Sequence, residues 1–451
     1  MNGERVGEWG SLRSGTPVFR YAESWASSPR ARALSLSLPL TADLEVRGPQ
    51  VEYYFDNLLP DSPQIRRRIG ARFHAPSSSP FDLLSAIGRE CVGAVQLLLP
   101  NEEPTGWDRI DASPLSETDV EQTLRDVVAP AMLRQDGDTE FRISLAGAQE
   151  KTALLRMGQV WHRPRGSTPT THILKLPLGT IGGFQGDFSD SVENEWLCGQ
   201  FLRHLGFSVA DATMARFGEQ RTLVVKRFDR RWLGVDEDEV ERKKFRPGRA
   251  TWIARLPQED FCQATGQPPS QKYEAGGGPS MAACLALLAN SDNSTEDRSV
   301  FVLAQLAFWL LAATDGHAKN FSINHRVGAT FSMTPLYDVL SAWPIIGHGR
   351  NQLPIKKATL AMAVRGARAH YKLGEIQSRH WEALATRTGI PGLWNRMLGL
   401  VEGASGAFDR LEKELPEAFP ERVFATIRDG VRNQAQRFTR RAATMQAAQR
   451  V

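Results

Sequence analysis

Up to Arg227 the apolar residues come in short runs bounded by glycine, proline or polar clusters, as strands do. Residues 17–21, 33–38, 93–99, 151–157, 172–176 and 222–227 each predict a strand. Between the last two, Val192, Trp196, Leu197, Phe201, Leu202 and Leu205 recur on a 3.6-residue period, which predicts an amphipathic helix over 191–205 stopped by Gly206. Beyond Phe228 the pattern turns helical, with helices predicted over 299–313, 380–388, 394–401 and 423–447. Residues 233–249, acids followed by bases, read as a solvated insertion, and Gly276-Gly277-Gly278-Pro279 as a breaker ahead of a helix. A strand-rich half holding one helix, then a helical half, with no internal repeat, predicts a two-lobed α+β fold.

Composition narrows the function classes. The 451 residues carry 55 Lys+Arg against 51 Asp+Glu, a net charge of +4. A general polyanion binder is excluded, and any nucleic-acid contact must come from a local patch. Hydrophobic residues make up 41%, too many for a disordered chain of low net charge. The four cysteines, Cys91, Cys198, Cys262 and Cys284, form no CxxC pair. That argues against a zinc ribbon or a disulfide scaffold and for buried thiols in a reducing compartment. The start is polar, without the apolar segment of a secretory signal. The longest apolar run, 301–313, falls short of the ~20 residues that cross a bilayer. A cytoplasmic protein without membrane contact is expected.

The segment Thr314-Asp315-Gly316-His317-Ala318-Lys319-Asn320 follows directly on the apolar helix and puts polar groups at the edge of a core. Two short runs around Arg326-Val327-Gly328 then read as a hairpin, which sets Asn320 before its first strand beside Asp338 after its second. An amide oxygen and a carboxylate converging there suit Mg²⁺, a hard ion that prefers oxygen. The spacing from Asp315 to Asn320 is that of a protein-kinase catalytic loop, where Asp orients the hydroxyl and Asn holds metal. The competing reading is that Asp315 and Asn320 cap a helix and Asp338 opens a turn. A kinase also needs a nucleotide cradle. The small-residue loop from Ser144 through Lys151 could turn backbone N–H groups toward phosphates, or be an ordinary turn. Lys175 sits inside an apolar strand and needs an anionic partner, for which Glu193 or Glu195 on the following helix is available. Alternatively it snorkels from an edge strand.

These stretches resemble the HipA family, serine/threonine-kinase toxins of bacterial HipBA toxin–antitoxin modules. The matching segments are residues 54–61, 143–155 (ISLAGAQEKTALL), 171–177 (THILKLP), 194–198 (NEWLC), 226–232 (KRFDRRW), 255–263, 313–322 (ATDGHAKNFS) and 335–342 (PLYDVLSA). They keep the family's order over nearly the whole chain. The resemblance implies a two-lobed protein-kinase-like fold: a HipA N-terminal subdomain over 1–100, a nucleotide-binding N-lobe over 101–228 and a helical catalytic C-lobe over 229–451. It implies Asp315 as catalytic aspartate, with His317, Ala318, Lys319 and Asn320 completing the loop. Asp338, preceded by Tyr337, would hold Mg²⁺ with Asn320. Ala146, Gly147, Ala148, Gln149, Glu150 and Lys151 would cradle the phosphates of ATP, which Lys175 grips. Lys226, Arg227 and Phe228 would form the hinge beside adenine, with Lys226 standing where the family commonly has an acidic residue. The resemblance also implies Ser144 as the autophosphorylation site, whose phosphate would switch the kinase off by repelling those of ATP.

An aspartate is too weak a base to strip a serine before attack, so Asp315 is expected to orient the hydroxyl and accept its proton late. The family further implies a HipB-like DNA-binding antitoxin, operator DNA reached through that complex, and an aminoacyl-tRNA synthetase as protein substrate, the glutamyl enzyme being best known. Arg422, Arg428, Arg432, Arg437, Arg440, Arg441 and Arg450 of the last helix would contact DNA phosphates, or form a solvated helix face. Two other readings stand beside the toxin. Asp315, His317 and Asn320 also fit the D-x-H-x-x-N loop of small-molecule and lipid kinases, and the chain could be a non-catalytic co-repressor.

Overall fold

The runs that alternate or end on turn residues fold into sheets, and the 3.6-period segments into helices around them. The computed structural model describes residues 1–100, 102–129, 144–147, 149–181, 185–243 and 245–449. The chain divides into two units: Met1–Leu176 with Asp211–Ser270 and Ser322–Phe331, and Pro177–Ala210 with Gln271–Phe321 and Ser332–Val451.

The first unit opens with a three-stranded antiparallel sheet of Gly7–Ser11, Pro17–Tyr21 and Glu45–Arg47. Helices Pro49–Asp56, Pro63–Arg72 and Pro80–Ile87 each start on a proline, whose missing N–H costs nothing there. Ser62 and Ser79 cap the last two by accepting from Ile65 N and Asp82 N. Val51, Phe55, Leu59, Leu83, Leu84 and Ile87 close their core. A six-stranded antiparallel sheet follows, in the order Ala212–Phe217, Gln220–Lys226, His172–Lys175, Lys151–Met157, Val160–Pro164, Ala112–Leu115. Helix Glu117–Val128, started by a Ser116/Asp119 capping box, buries Val120 and Leu124 against Leu154, Leu174 and Val224 of that sheet.

Two expected strands are absent. In 33–38 only an isolated Ser35↔Leu38 bridge forms. The Ser35 hydroxyl accepts from Ser37 N at 3.0 Å and the Ser37 hydroxyl donates to Gln263 O at 2.7 Å, so local serine bonds displace a ladder. In 93–99 Gly93 takes a left-handed φ of 73° and donates its N–H to Asp229 Oδ2 at 2.7 Å, while Leu97 N goes to Gly88 O. Those donors cannot also serve a strand. The insertion 233–249 is anchored rather than wholly solvated. Its short helix Glu237–Val240 buries Val240, Gly158 N donates to Val240 O at 2.8 Å, and Phe245 meets Trp232 edge to face.

The second unit is mainly helical. Helix Ser191–His204 ends where Gly206 takes a φ of 89°. Helix Ser294–Leu311 is buried at every residue from Phe301 to Leu311. Met281–Leu288, Ser378–Thr388, Leu393–Leu411 and Glu421–Gln449 surround it. The third of these outruns the expected 394–401, because Gly403 and Gly406 make its second half read as loop. There small residues serve packing: Ala404 and Ala407 are fully buried and Phe408 stacks on Phe201 at 4.8 Å. Among the described residues no helix is long and apolar enough to cross a membrane. All four cysteines are buried free thiols.

Candidate active site

The buried helix Ser294–Leu311 ends at Ala312, whose φ of 50° turns the chain out of the helix. Ala313 N returns to Phe308 O at 2.8 Å, and the chain enters the Asp315 loop. Gly316 is needed here, since a Cβ would lie 2.4 Å from the Phe308 ring. The loop then closes on itself. Asp315 O accepts from His317 N and from Asn320 Nδ2, both at 2.8 Å, and Asn320 N donates to His317 O at 2.9 Å. His317, Ala318, Lys319 and Asn320 are buried, whereas the Asp315 side chain is 61% exposed. One carboxylate is thus offered to the surface from a rigid backbone.

The expected hairpin forms from Ser322–His325 and Phe331–Met333, neighbours in a three-stranded sheet. It brings Asn320 to Asp338, with Asn320 Nδ2 donating to Asp338 O at 3.4 Å. Because Nδ2 serves two carbonyls, Oδ1 of Asn320 points away from them. Asp338 has a φ of 59°, and the Tyr337 hydroxyl donates to Lys319 O at 2.9 Å. Asn194 secures the segment beyond. Its Nδ2 donates to Ser341 O and its Oδ1 accepts from Ser341 N, both at 2.8 Å. The Ser341 hydroxyl in turn donates to Leu311 O at 2.6 Å. Asp315, His317, Lys319, Asn320, Tyr337 and Asp338 therefore form one cluster in the second unit. An amide oxygen and a carboxylate fit Mg²⁺, which takes few protein ligands beside phosphates and water.

The remaining expected residues lie in the first unit. Ser144 is fully buried, its hydroxyl donating to Leu58 O and its N–H to Glu90 O, each at 2.8 Å. Gly147, at a φ of 105°, forms a parallel bridge with Pro60 and accepts from Asp61 N at 3.1 Å. Lys151 Nζ donates to Ala146 O at 2.5 Å, Gln149 Nε2 to Leu176 O at 2.6 Å, and Glu150 pairs with Arg68. Ala148 lies outside the described residues. Lys175 is buried in its strand directly opposite Lys151.

At the expected hinge, Lys226 Nζ reaches Glu237 at 3.4 Å and Glu241 at 3.8 Å. The Arg227 guanidinium is committed elsewhere, to Asp229 at 2.7 Å, Glu90 at 3.2 Å, Thr170 at 2.9 Å and Cys91 O. Its N–H goes to Thr171 O at 2.9 Å, and Phe228 is half-buried. Glu90 also meets Arg230 at 3.0 Å and Arg255 at 2.7 Å. Burial alone pushes Glu90 up, but the guanidinium groups of Arg230, Arg255 and Arg227 hold it well below the usual carboxylate range. Among the C-terminal arginines, Arg422 pairs with Asp190, Arg428 with Asp429 at 2.9 Å and Arg432 with Asp409 at 2.7 Å.

Residues 1–98 match the HipA N-terminal domain and residues 143–418 the HipA-like C-terminal domain. The chain belongs to the HipA family. The protein named putative kinase Y4mE, of Sinorhizobium fredii, is 30% identical over 427 residues, 93% of this chain and 92% of that protein. The serine/threonine-protein kinase toxin HipA of Shewanella oneidensis is 26% identical over 342 residues, 72% of this chain and 70% of the relative. A Shewanella oneidensis HipA solved with HipB and its operator DNA superposes with a TM-score of 0.75 at 22% identity, covering 96% and 95% of the two chains. The α+β kinase-like fold of HipA is thus the fold of this chain, and its enzyme class is kinase, which entails the use of ATP.

Two residues of this site carried no expected role. Asn194 lies within a matching motif but gave no sign of its partner. Tyr273, whose hydroxyl donates to Asp315 Oδ1, lies 42 positions earlier and belongs to no period or motif.

Proposed function

We propose that the chain is the serine/threonine kinase toxin of a toxin–antitoxin module, moving the γ-phosphate of ATP to a serine of a protein substrate. The observation that carries this reading is the Asp315 loop. Its backbone is locked through Asn320, its carboxylate is exposed, and Asn320 meets Asp338 at the same end of the hairpin. The acceptor oxygen bonds to the γ-phosphorus as the bond to the β,γ-bridging oxygen breaks, ADP leaves, and Asp315 takes the hydroxyl proton late. Asn320 Oδ1 and the Asp338 carboxylate would hold Mg²⁺, which when bound neutralises phosphate charge. Lys175 and Lys151, opposite each other in the ladder, are the lysines proposed for the ATP phosphates in the first unit, and Lys319 is the lysine of the catalytic loop. In the hinge reading the Lys226 and Arg227 side chains are engaged elsewhere, and so are their N–H groups, which donate to Asp211 O at 2.7 Å and Thr171 O at 2.9 Å, so neither N–H is the one that meets adenine.

Ser144 is the proposed autophosphorylation site. Its hydroxyl is buried against Leu58 O, so it must leave that seat to be modified, and the added charge would bar its return. The partners are a HipB-like antitoxin and operator DNA, as the solved relative has them. The substrate is an aminoacyl-tRNA synthetase such as the glutamyl enzyme, whose inhibition stops translation and favours growth arrest and persistence.

The test is incubation of host lysate with γ-labelled ATP and the chain or its Asp315→Asn and Asp338→Asn variants. Labelled protein bands that vanish with both variants support the reading. Label appearing in a metabolite, or bands unchanged by Asp315→Asn, overturns it. Asn tolerates the left-handed φ at 338, so Asp338→Asn should keep the fold.

A further inference from the structure

The glycine breaker at 276–278 has no part in the chemistry so far, yet it shapes a strap lying on the catalytic loop. Gly277 takes a φ of 94°, and a Cβ on Gly278 would lie 2.0 Å from Gln271 O. The N–H groups of Gly276 and Gly278 both return to Tyr273 O at 3.0 Å. Beside Tyr273, Lys272 O accepts from Ala318 N at 3.2 Å, which ties the strap to the catalytic loop. On the other side Glu274 is buried, accepting from Ala363 N at 2.7 Å and from Arg365 Nη2 at 2.6 Å. Tyr273 is therefore held between two anchors.

Its ring stands edge to face on His317 at 5.0 Å, while 37% of the residue stays exposed. Its hydroxyl donates to Asp315 Oδ1. The other side chain near the carboxylate, His317 Nε2, lies 3.8 Å from that same oxygen. Among the described residues both contacts gather on Oδ1. An exposed aspartate otherwise samples several rotamers, and a reacting group must be held within a narrow range of positions.

We infer that Tyr273 is a positioning residue, pinning Oδ1 of Asp315 so that Oδ2 is presented to the acceptor hydroxyl. The inference rests on the reading of Asp315 as the catalytic aspartate. The hydroxyl is separable from the ring: Tyr273→Phe keeps the packing on His317 and removes the donor. Full-length wild type, Tyr273→Phe, Asp315→Asn and the double variant are compared for the initial rate of label transfer from γ-labelled ATP to lysate protein. Binding of a fluorescent ATP analogue and thermal melting are measured alongside.

Tyr273→Phe should lower kcat about 10- to 100-fold, with KM for ATP and analogue binding within about twofold of wild type. The melting shifts of the two single variants should fail to add in the double, because both act on one bond: Tyr273→Phe removes its donor and Asp315→Asn the charge on its acceptor. Unchanged kcat in Tyr273→Phe, or additive melting shifts, overturns the inference while an inactive Asp315→Asn leaves the kinase reading standing. A wild type that labels no protein, or an Asp315→Asn variant as active as wild type, removes that reading and the inference with it.

Discussion

His172 shows how one buried side chain sets the response of the first unit to acid. Burial pushes its pKa down to about 3, helped by Arg156 and Lys226. The unfolded chain therefore binds more protons than the folded one as pH drops from the ordinary histidine range toward 3, so stability falls with pH across that window. At pH 5.5 the loss is about 1 kcal/mol. Glu90, held low by its arginines, adds a loss only below the ordinary carboxylate range. Melting temperature measured at pH 7.5 and 5.5 should fall less in His172→Gln than in wild type. An equal fall would show that histidine stays solvated. The sequence exposed Asp315, Asn320 and Asp338 because their spacing along one loop and hairpin is itself the signal. It could not expose Tyr273 or the Glu90 cluster, whose partners lie 42 to 165 positions apart without any period.

Among elements, helix Ser191–His204 has a second task besides packing its apolar face. Asn194 completes two hydrogen bonds with the backbone of Ser341, three residues after Asp338. Truncation to alanine would leave a buried N–H and C=O unpaired, costing about 2–4 kcal/mol. Denaturant unfolding of Asn194→Ala should show that loss, with phosphate transfer reduced as the Asp338 segment loosens. Elements were legible where one force sets them. Strands Lys151–Met157 and Gln220–Lys226 and helix Ser191–His204 follow from apolar pattern and turn residues. They were not legible where side chains claim the backbone, as at Ser35, Ser37 and Gly93, or where glycines inside a helix read as loop, as at Gly403.

For the molecule as a whole, the +4 net charge describes no surface. Arg422, Arg428 and Arg432 are offset by Asp190, Asp429 and Asp409, so three of the basic helix's arginines are paired within its own unit. The cysteines are distributed in a way that composition could not reveal. Cys91 and Cys262 lie in the first unit and Cys198 and Cys284 in the second, each fully buried. Burial also holds the Cys91 thiol up at about 12, with Glu90 reinforcing it. A thiol reagent therefore cannot react until the surrounding core opens. Native protein should stay unlabelled, and graded denaturant should release the thiols in pairs if the units open separately, or all four together if they open as one. The chain thus carries its own pair of chemical stopwatches for each unit, readable by mass without any added probe site.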